Sequence, residues 1–198
     1  MSASIDDYIK ENRERFLEEL FGLIRIPSVS SGSGREGDMA EAAEYWRGIL
    51  LDAGADRAEV MPTTGNPVVF GRCDVDPSAP TVLVYGHYDV MPVDPLNLWD
   101  SPPFEPEVRD GRIYGRGADD DKGQSFMQAK AFEYLKRTGN LRCNVKFLIE
   151  GEEEIGSPNL EPYIRDHAQS LAADVVLISD TGQFGPGMPA LTTSLRGL

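Results

Sequence analysis

Cysteine is scarce in this sequence, and its two cysteines give no sign of a metal site or a disulfide framework. Cys73 and Cys143 lie far apart and form no Cys-x-x-Cys pair, which is the spacing typical of zinc and redox sites. Each lies within a strand-like segment, so we expect both thiols to be reduced and buried.

Basic residues and long apolar runs are also few. The 198 residues include 19 Lys and Arg against 33 Asp and Glu, a net charge of −14. This charge disfavours nucleic acid and anionic membrane surfaces as partners, because both select basic faces. No apolar run reaches the length of a membrane span, and no charged segment followed by an apolar one opens the chain. These features predict a cytoplasmic protein.

The apolar residues that are present follow two alternating patterns, which predict an α/β fold of one domain. Helical periodicity is found in residues 4–26, 38–54, 121–139 and 158–172. Strand-like runs are residues 67–75, 81–90, 107–115, 144–153 and 173–180. Continuous apolar runs such as VLVY are typical of strands covered on both faces. We therefore expect three layers, with a mixed, largely parallel sheet flanked by helices.

The last residues of the chain, 189–198 (PALTTSLRGL), have the pattern of a strand that begins without a turn or cap after it. Such an ending is unusual for a natural terminus. We expect residues 1–198 to be the N-terminal portion of a longer protein.

One histidine and several acidic residues follow successive predicted strands. They are His87 and Asp89 after VLVYG, Asp119, Asp120 and Asp121 in GRGADDDKG, Glu152, Glu153 and Glu154 in IEGEEEIGS, and Asp180 in VVLISDT. The carboxyl ends of parallel strands meet at one edge of a sheet, where ligands bind. Carboxylates crowded there need cations to offset their repulsion. One imidazole with several carboxylates suits zinc, manganese or cobalt better than calcium, so we predict a divalent metal site.

The spacing in HYD adds a second feature. His87 and Asp89 are two residues apart in an extended chain, so their side chains point the same way. Asp89 can then accept a hydrogen bond from the second ring nitrogen of His87 and fix its tautomer, a common arrangement at metal sites.

Each motif alone also has a structural interpretation. The Glu run is compatible with a solvated acidic face, and the Asp run with a helix N-terminus, where acids are favoured. Asp180 could cap a strand, and His167 is interpreted as a surface helix residue. The metal site is favoured because all four acidic groups occupy the same kind of position, after an apolar run.

Taken together, the motifs resemble the M20 family of dinuclear zinc peptidases, which includes carnosinase-like dipeptidases, aminoacylases and glutamate carboxypeptidases. The segments that carry the resemblance are GHYDVMPV, WDSPPFEP, GRIYGRGADDDKG, EGEEEIGS and VVLISDT, in this order. The resemblance implies two zinc ions, with manganese or cobalt as alternatives. His87 and Asp180 would bind the first ion, Asp120 would bridge both, and Glu154 would bind the second.

The resemblance also implies two further roles in the site. Glu153 would be the general base, and Asp89 would orient His87. Asp120 is the first Asp of the DDKG core, after which family members often have a cis peptide bond. Glu152 falls at a position that the family leaves variable.

The resemblance further implies parts that these residues do not supply. The family has a second histidine ligand and a lid domain, whereas this sequence has only His87 and His167. We therefore expect a zinc-peptidase-like catalytic domain truncated before the lid, inactive alone, whose parent is a homodimer through the lid. Asp180, rather than Glu, favours a dipeptidase acting on small peptides. The alternatives are a deacylase or carboxypeptidase of the same family, and a non-catalytic α/β domain that binds a metal or a partner.

Overall fold

Helices and strands alternate along the computed structural model, which describes residues 4–185, 187–188 and 190–192. The helices are α1 (Ile5–Arg25), α2 (Glu36–Asp52), α3 (Lys122–Arg137), α4 (Leu160–Asp166) and α5 (Ala168–Leu171). The strands are β1 (Arg57–Met61), β2 (Val68–Cys73), β3 (Thr81–His87), β4 (Glu107–Arg109), β5 (Arg112–Tyr114), β6 (Asn144–Glu150) and β7 (Val175–Ile178). Single 3-10 turns are formed by Leu96–Leu98 and Glu153–Ile155.

Five strands form one mixed sheet in the order β1-β2-β6-β3-β7. Strands β6, β3 and β7 are parallel, whereas β1 and β2 extend the sheet through antiparallel pairing. The predicted α/β class with a mixed sheet is confirmed. The parallel strands β3, β6 and β7 lead to His87, Glu153 and Asp180. The Asp run of ADDDKG was expected to follow a strand of the same sheet, but it follows the separate β4–β5 hairpin and precedes α3.

Helices cover both faces of this sheet, because alternate side chains of each strand point to opposite faces. In β6, Val145, Phe147 and Ile149 pack in a core with residues of α1, α2 and α3. Leu148 points the other way and packs with Tyr163 of α4 and Leu171 of α5. The three-layer arrangement is therefore confirmed.

Element boundaries follow local sequence signals, with three differences from prediction. Helix α1 begins after Ser4, whose hydroxyl accepts the amide of Asp7. The helix predicted over 158–172 is two short helices that meet at His167. The strand predicted over 107–115 is a hairpin, because Asp110 and Gly111 have φ of 50° and 75° and form a turn. Strand β1 was not predicted.

Three further predictions concern the cysteines, the last residues of the chain and membrane-spanning helices. Both cysteines are free, Cys73 buried and Cys143 only half-buried. The strand expected over 189–198 lies largely outside the described residues. Within the described residues, no helix combines the length and apolar character needed to cross a membrane.

A buried charged cluster joins α1 to α3. The Glu133 carboxylate is fully buried and accepts hydrogen bonds from Tyr8 (2.8 Å), Arg15 (2.5 Å) and Lys130 (2.8 Å). Burial alone would raise the pKa of Glu133, but the hydrogen bonds from Arg15, Lys130 and Tyr8 outweigh it and lower this pKa to about 2. The ionised carboxylate therefore stabilises the packing of α1 on α3.

Glu133→Gln is expected to lower the free energy of unfolding at pH 7 by up to about 3 kcal/mol, the equivalent of a pKa falling from 4.5 to about 2. Because the folded-state pKa is depressed, this stabilisation is complete above the ordinary Glu pKa and disappears as the pH falls toward 2. Denaturant unfolding of both proteins at several pH values measures the difference. Glu14→Gln, at an exposed position, is the control. If the difference in unfolding free energy between the wild type and Glu133→Gln stays constant down to pH 2, the prediction is wrong.

Candidate metal centre

The register of the parallel strands brings three predicted site segments to one edge of the sheet. His87, the last residue of β3, is paired with Glu150, the last residue of β6. On the other side of β3, Tyr85 is paired with Ile178 of β7. Asp180, two residues beyond Ile178, and Glu153, three residues beyond Glu150, therefore leave the sheet beside His87.

The His87 ring is fully buried. One of its nitrogens faces Asp89, and the other faces the acidic cluster. Nδ1 lies 2.9 Å from the carbonyl oxygen of Asp89 and 3.3 Å from its carboxylate Oδ1. Since a carbonyl oxygen only accepts, Nδ1 carries a proton and donates it. Nε2 faces the acidic cluster, 3.1 Å from Asp120 Oδ1, 3.6 Å from Asp180 Oδ2 and 3.9 Å from Glu153 Oε2. This is the tautomer that leaves Nε2 available to a metal ion.

The charge balance of the cluster indicates that a cation belongs there. Burial lowers the pKa of His87, but the hydrogen bond and charge of Asp89, with the charge of Asp121, raise it to about 10. Burial, followed by neighbouring charges that include Asp120, raises the pKa values of Glu153, Glu154 and Asp180. A divalent ion would replace the proton on His87 and offset the carboxylate repulsion.

Asp89 has a second role that the sequence did not predict. Its fully buried carboxylate accepts the backbone amides of Glu153 at Oδ1 and Glu154 at Oδ2, each at 3.1 Å. One side chain thus orients both the His87 ring and the turn that carries the two glutamates.

The segment ADDDKG is attached to the fold by two residues whose anchoring role the sequence did not predict. Asp121 is buried and accepts the backbone amide of His87 at 3.0 Å. Lys122 is also buried and donates to the carbonyl oxygens of Leu23 (3.0 Å) and Ile26 (2.7 Å), at the end of α1. Asp120, just before them, has 61% of its side chain exposed. The peptide bond between Asp120 and Asp121 is cis, as the family resemblance implies.

The donor set fits a divalent metal ion. Ligand atoms of His87, Glu153 and Asp180 all lie within 4.8 Å of one another, and Asp120 contacts the same ring nitrogen. Glu154 is outside this group of three, but its backbone is bound to Asp89. One imidazole with carboxylates matches the preference of zinc, manganese or cobalt. His167 lies elsewhere, stacked on Tyr163 with ring centroids 4.1 Å apart.

Known proteins with related sequences are peptidases. The chain is 36% identical over 197 residues to the cysteinylglycine-S-conjugate dipeptidase of Corynebacterium striatum, covering 99% of this chain and 43% of that protein. It is 38% identical over 200 residues to the Beta-Ala-His dipeptidase of Homo sapiens, covering 92% of this chain and 35% of that protein. The chain therefore spans less than half the length of these relatives.

Solved structures and a family match agree with the sequence relatives. Human carnosine dipeptidase 1 superposes with a TM-score of 0.81 at 29% identity, over 88% of this chain and 40% of that one. The M20 family metallo-carboxypeptidase Sso-CP2 from Sulfolobus solfataricus gives 0.78 at 39% identity, over 84% and 37%. Residues 83–190 match peptidase family M20/M25/M40. With this match over more than half of its residues, the chain belongs to peptidase family M20/M25/M40.

Proposed function

We propose that these 198 residues are the N-terminal portion of a catalytic domain in a longer metal-dependent dipeptidase, which hydrolyses the amide bond of dipeptides or short peptides. The observation that supports this most directly is the convergence of His87, Glu153 and Asp180 within 4.8 Å at the carboxyl edge of the parallel strands. The names of the relatives, a cysteinylglycine-S-conjugate dipeptidase and a Beta-Ala-His dipeptidase, favour a dipeptide substrate.

In this proposal the site residues divide into metal ligands and a proton carrier. His87, Asp120 and Asp180 would hold one divalent ion, and Glu154 together with Asp120 would hold a second. When bound, two ions polarise the peptide carbonyl and lower the pKa of water. The Glu153 carboxylate accepts the proton of the attacking water and delivers it to the departing amine. Burial raises the pKa of Glu153, which suits a group that both takes up and releases a proton.

The proposal extends to the metal ion, the partners, the compartment and the oligomeric state. Zinc is the ion, with manganese and cobalt as alternatives, because the donor set includes one imidazole. The net charge of −14 argues against nucleic acid and anionic membranes as partners. The two free thiols are compatible with the reducing cytoplasm. Homodimerisation of the longer protein through a lid follows from the family resemblance.

The test is an assay of the full-length protein against a panel of dipeptides with zinc, manganese or cobalt, before and after chelation. Hydrolysis is expected to stop on chelation and to return with metal. Activity that survives complete chelation would refute metal dependence. The panel includes N-acyl amino acids and longer peptides, because a preference for these would assign a deacylase or carboxypeptidase instead, the latter in line with the similarity to Sso-CP2.

The 198-residue chain itself is expected to bind one divalent ion well, to bind a second weakly, and to have no turnover. His87, Asp120 and Asp180 would supply three protein ligands for the first ion, whereas the second ion would have only Glu154 and the shared Asp120. Calorimetric titration of the metal-free chain with zinc counts the sites. Two tight sites per chain, or dipeptide turnover by the purified chain, would contradict this expectation.

A further inference from the structure

Glu152 is a buried carboxylate beside the site that the proposed mechanism does not use. Only 6% of the residue is exposed. Oε1 accepts the backbone amide of Asn66 at 3.0 Å, and Oε2 accepts the side-chain amide of Asn159 at 2.8 Å. Burial of a carboxylate is unfavourable unless its oxygens are hydrogen-bonded. The two donors come from different parts of the fold, the β1–β2 loop and the residue that precedes α4.

The β1–β2 loop, residues 62–67, makes further contacts with the two strand ends that carry the site. The Asn66 side chain donates to the carbonyl oxygen of Gly151 at 2.8 Å. The hydroxyl of Tyr88, which lies between His87 and Asp89 in the sequence, donates to the carbonyl oxygen of Pro67 at 2.7 Å. The loop therefore contacts the segment that orients His87 and the segment that precedes Glu153.

The loop approaches Glu152 closely because Gly65 has no side chain. A Cβ at Gly65 would lie 2.0 Å from Glu152 Oε1 and 2.5 Å from the Asn159 amide nitrogen. The carboxylate thus fills the space between the loop and α4. An acidic residue serving only solubility would be exposed instead.

We propose that Glu152 is a positioning residue that fixes the turn bearing Glu153 and Glu154. Asp89 holds the backbone of this turn through the amides of those two residues, and Glu152 anchors its start to the β1–β2 loop and α4. The inference rests on the proposed function, because the purpose of the positioning is to align the Glu153 carboxylate. A misplacement of about 1 Å in such a group is enough to cost about 100-fold in rate.

The first test measures positioning directly in the 198-residue chain, by amide hydrogen exchange of Glu153 and Glu154. In Glu152→Ala these amides are expected to exchange about tenfold faster than in the wild type, the equivalent of losing about one net hydrogen bond. The amide of Phe147, in the core of β6, is the internal reference, because a general loss of stability would accelerate it as well. Glu161→Ala, an exposed position in α4, is the matched control. Unchanged exchange at both glutamates relative to Phe147 would overturn the inference.

Two further variants keep the test decisive if Glu152→Ala does not fold. Glu152→Gln retains an oxygen that can accept the Asn66 amide but has an NH2 group in place of the oxygen that accepts the Asn159 amide, so its exchange is expected to lie between the values of the wild type and of Glu152→Ala. Asn159→Ala removes the donor to Oε2 and leaves the carboxylate in place, so it is expected to accelerate the Glu153 and Glu154 amides moderately. Wild-type exchange at both amides in a folded Asn159→Ala chain would also count against the inference.

The second test uses the full-length protein and the steady-state constants of dipeptide hydrolysis. Glu152→Ala is expected to lower kcat by about 10–100-fold, the usual effect of losing a partner that orients site residues, with a smaller change in KM. A kcat equal to that of the wild type would overturn the role in alignment. If the wild-type protein has no peptidase activity and the exchange effect is present, the proposed function is wrong and the positioning of the turn by Glu152 stands.

Discussion

Glu153→Gln in the full-length protein is expected to lower kcat by about 10²–10⁴-fold while the metal content stays unchanged. Gln has the same shape as Glu and keeps the backbone amide that donates to Asp89, but it cannot take up the proton of the attacking water. The measurement is dipeptide turnover together with elemental analysis of the purified protein. Retained turnover would assign the base to another residue.

The pH dependence of turnover gives an independent check on Glu153. Burial, with the charges of Asp180, Asp89 and Asp120, raises the pKa of Glu153. The base acts when it is ionised, so wild-type activity should decline as the pH falls through this raised pKa. The residual activity of Glu153→Gln should lack that decline, and Glu161→Gln should retain it. The same acidic decline in both variants would show that another group is being titrated.

His87→Ala in the 198-residue chain is expected to abolish tight binding of zinc. The affinity should fall by more than the roughly 10–100-fold that follows loss of an outer-shell partner, because the change deletes the one nitrogen donor of the cluster. It also removes the group whose proton offsets the charges of Asp120, Asp180 and Glu153 in the metal-free state. Calorimetric titration with zinc measures both the affinity and the number of sites.

His167→Ala is the matched control for this variant. His167 Nδ1 donates a hydrogen bond to the carbonyl oxygen of Tyr163 at 2.9 Å, and the residue lies at the junction of α4 and α5. Because His87 is buried, circular dichroism must show that His87→Ala is folded, and His87→Gln serves as a second variant of similar volume. Undiminished zinc binding by folded His87 variants would move the metal site elsewhere in the chain.

The sequence predicted the parts of the site that directly follow strong strand patterns. His87, Glu153 and Asp180 each come after an apolar run, so parallel pairing was enough to place them together. Their roles as ligands or base remain predictions that the proposed experiments test. The mixed α/β class was predictable because its helices and strands are segments with a clear periodic pattern of apolar residues.

The supporting residues were not predictable, because their roles depend on tertiary contacts. Lys122 looks like a surface base in the sequence, yet it donates to carbonyl oxygens about 100 positions earlier in the chain. Glu152 belongs to an acidic run in which it alone is buried, whereas Glu153 and Glu154 are half-buried, and a charge pattern does not predict that difference. Strand β1, RAEVM, is too short and too polar to stand out, and it becomes a strand only through pairing with β2.

The parallel register of β3 and β6 also determines where the chain tolerates insertions and deletions. The two strands are paired without interruption, from Thr81 opposite Asn144 to His87 opposite Glu150. Removing one residue from either strand would shift its end by about 3.3 Å and turn its side chains to the opposite face. The turn of the β4–β5 hairpin at Asp110 and Gly111 lies in a separate two-stranded sheet, so length variation there would leave the distances around His87 intact. Length variants of a functional protein should therefore be found in that hairpin and be absent from the two strands.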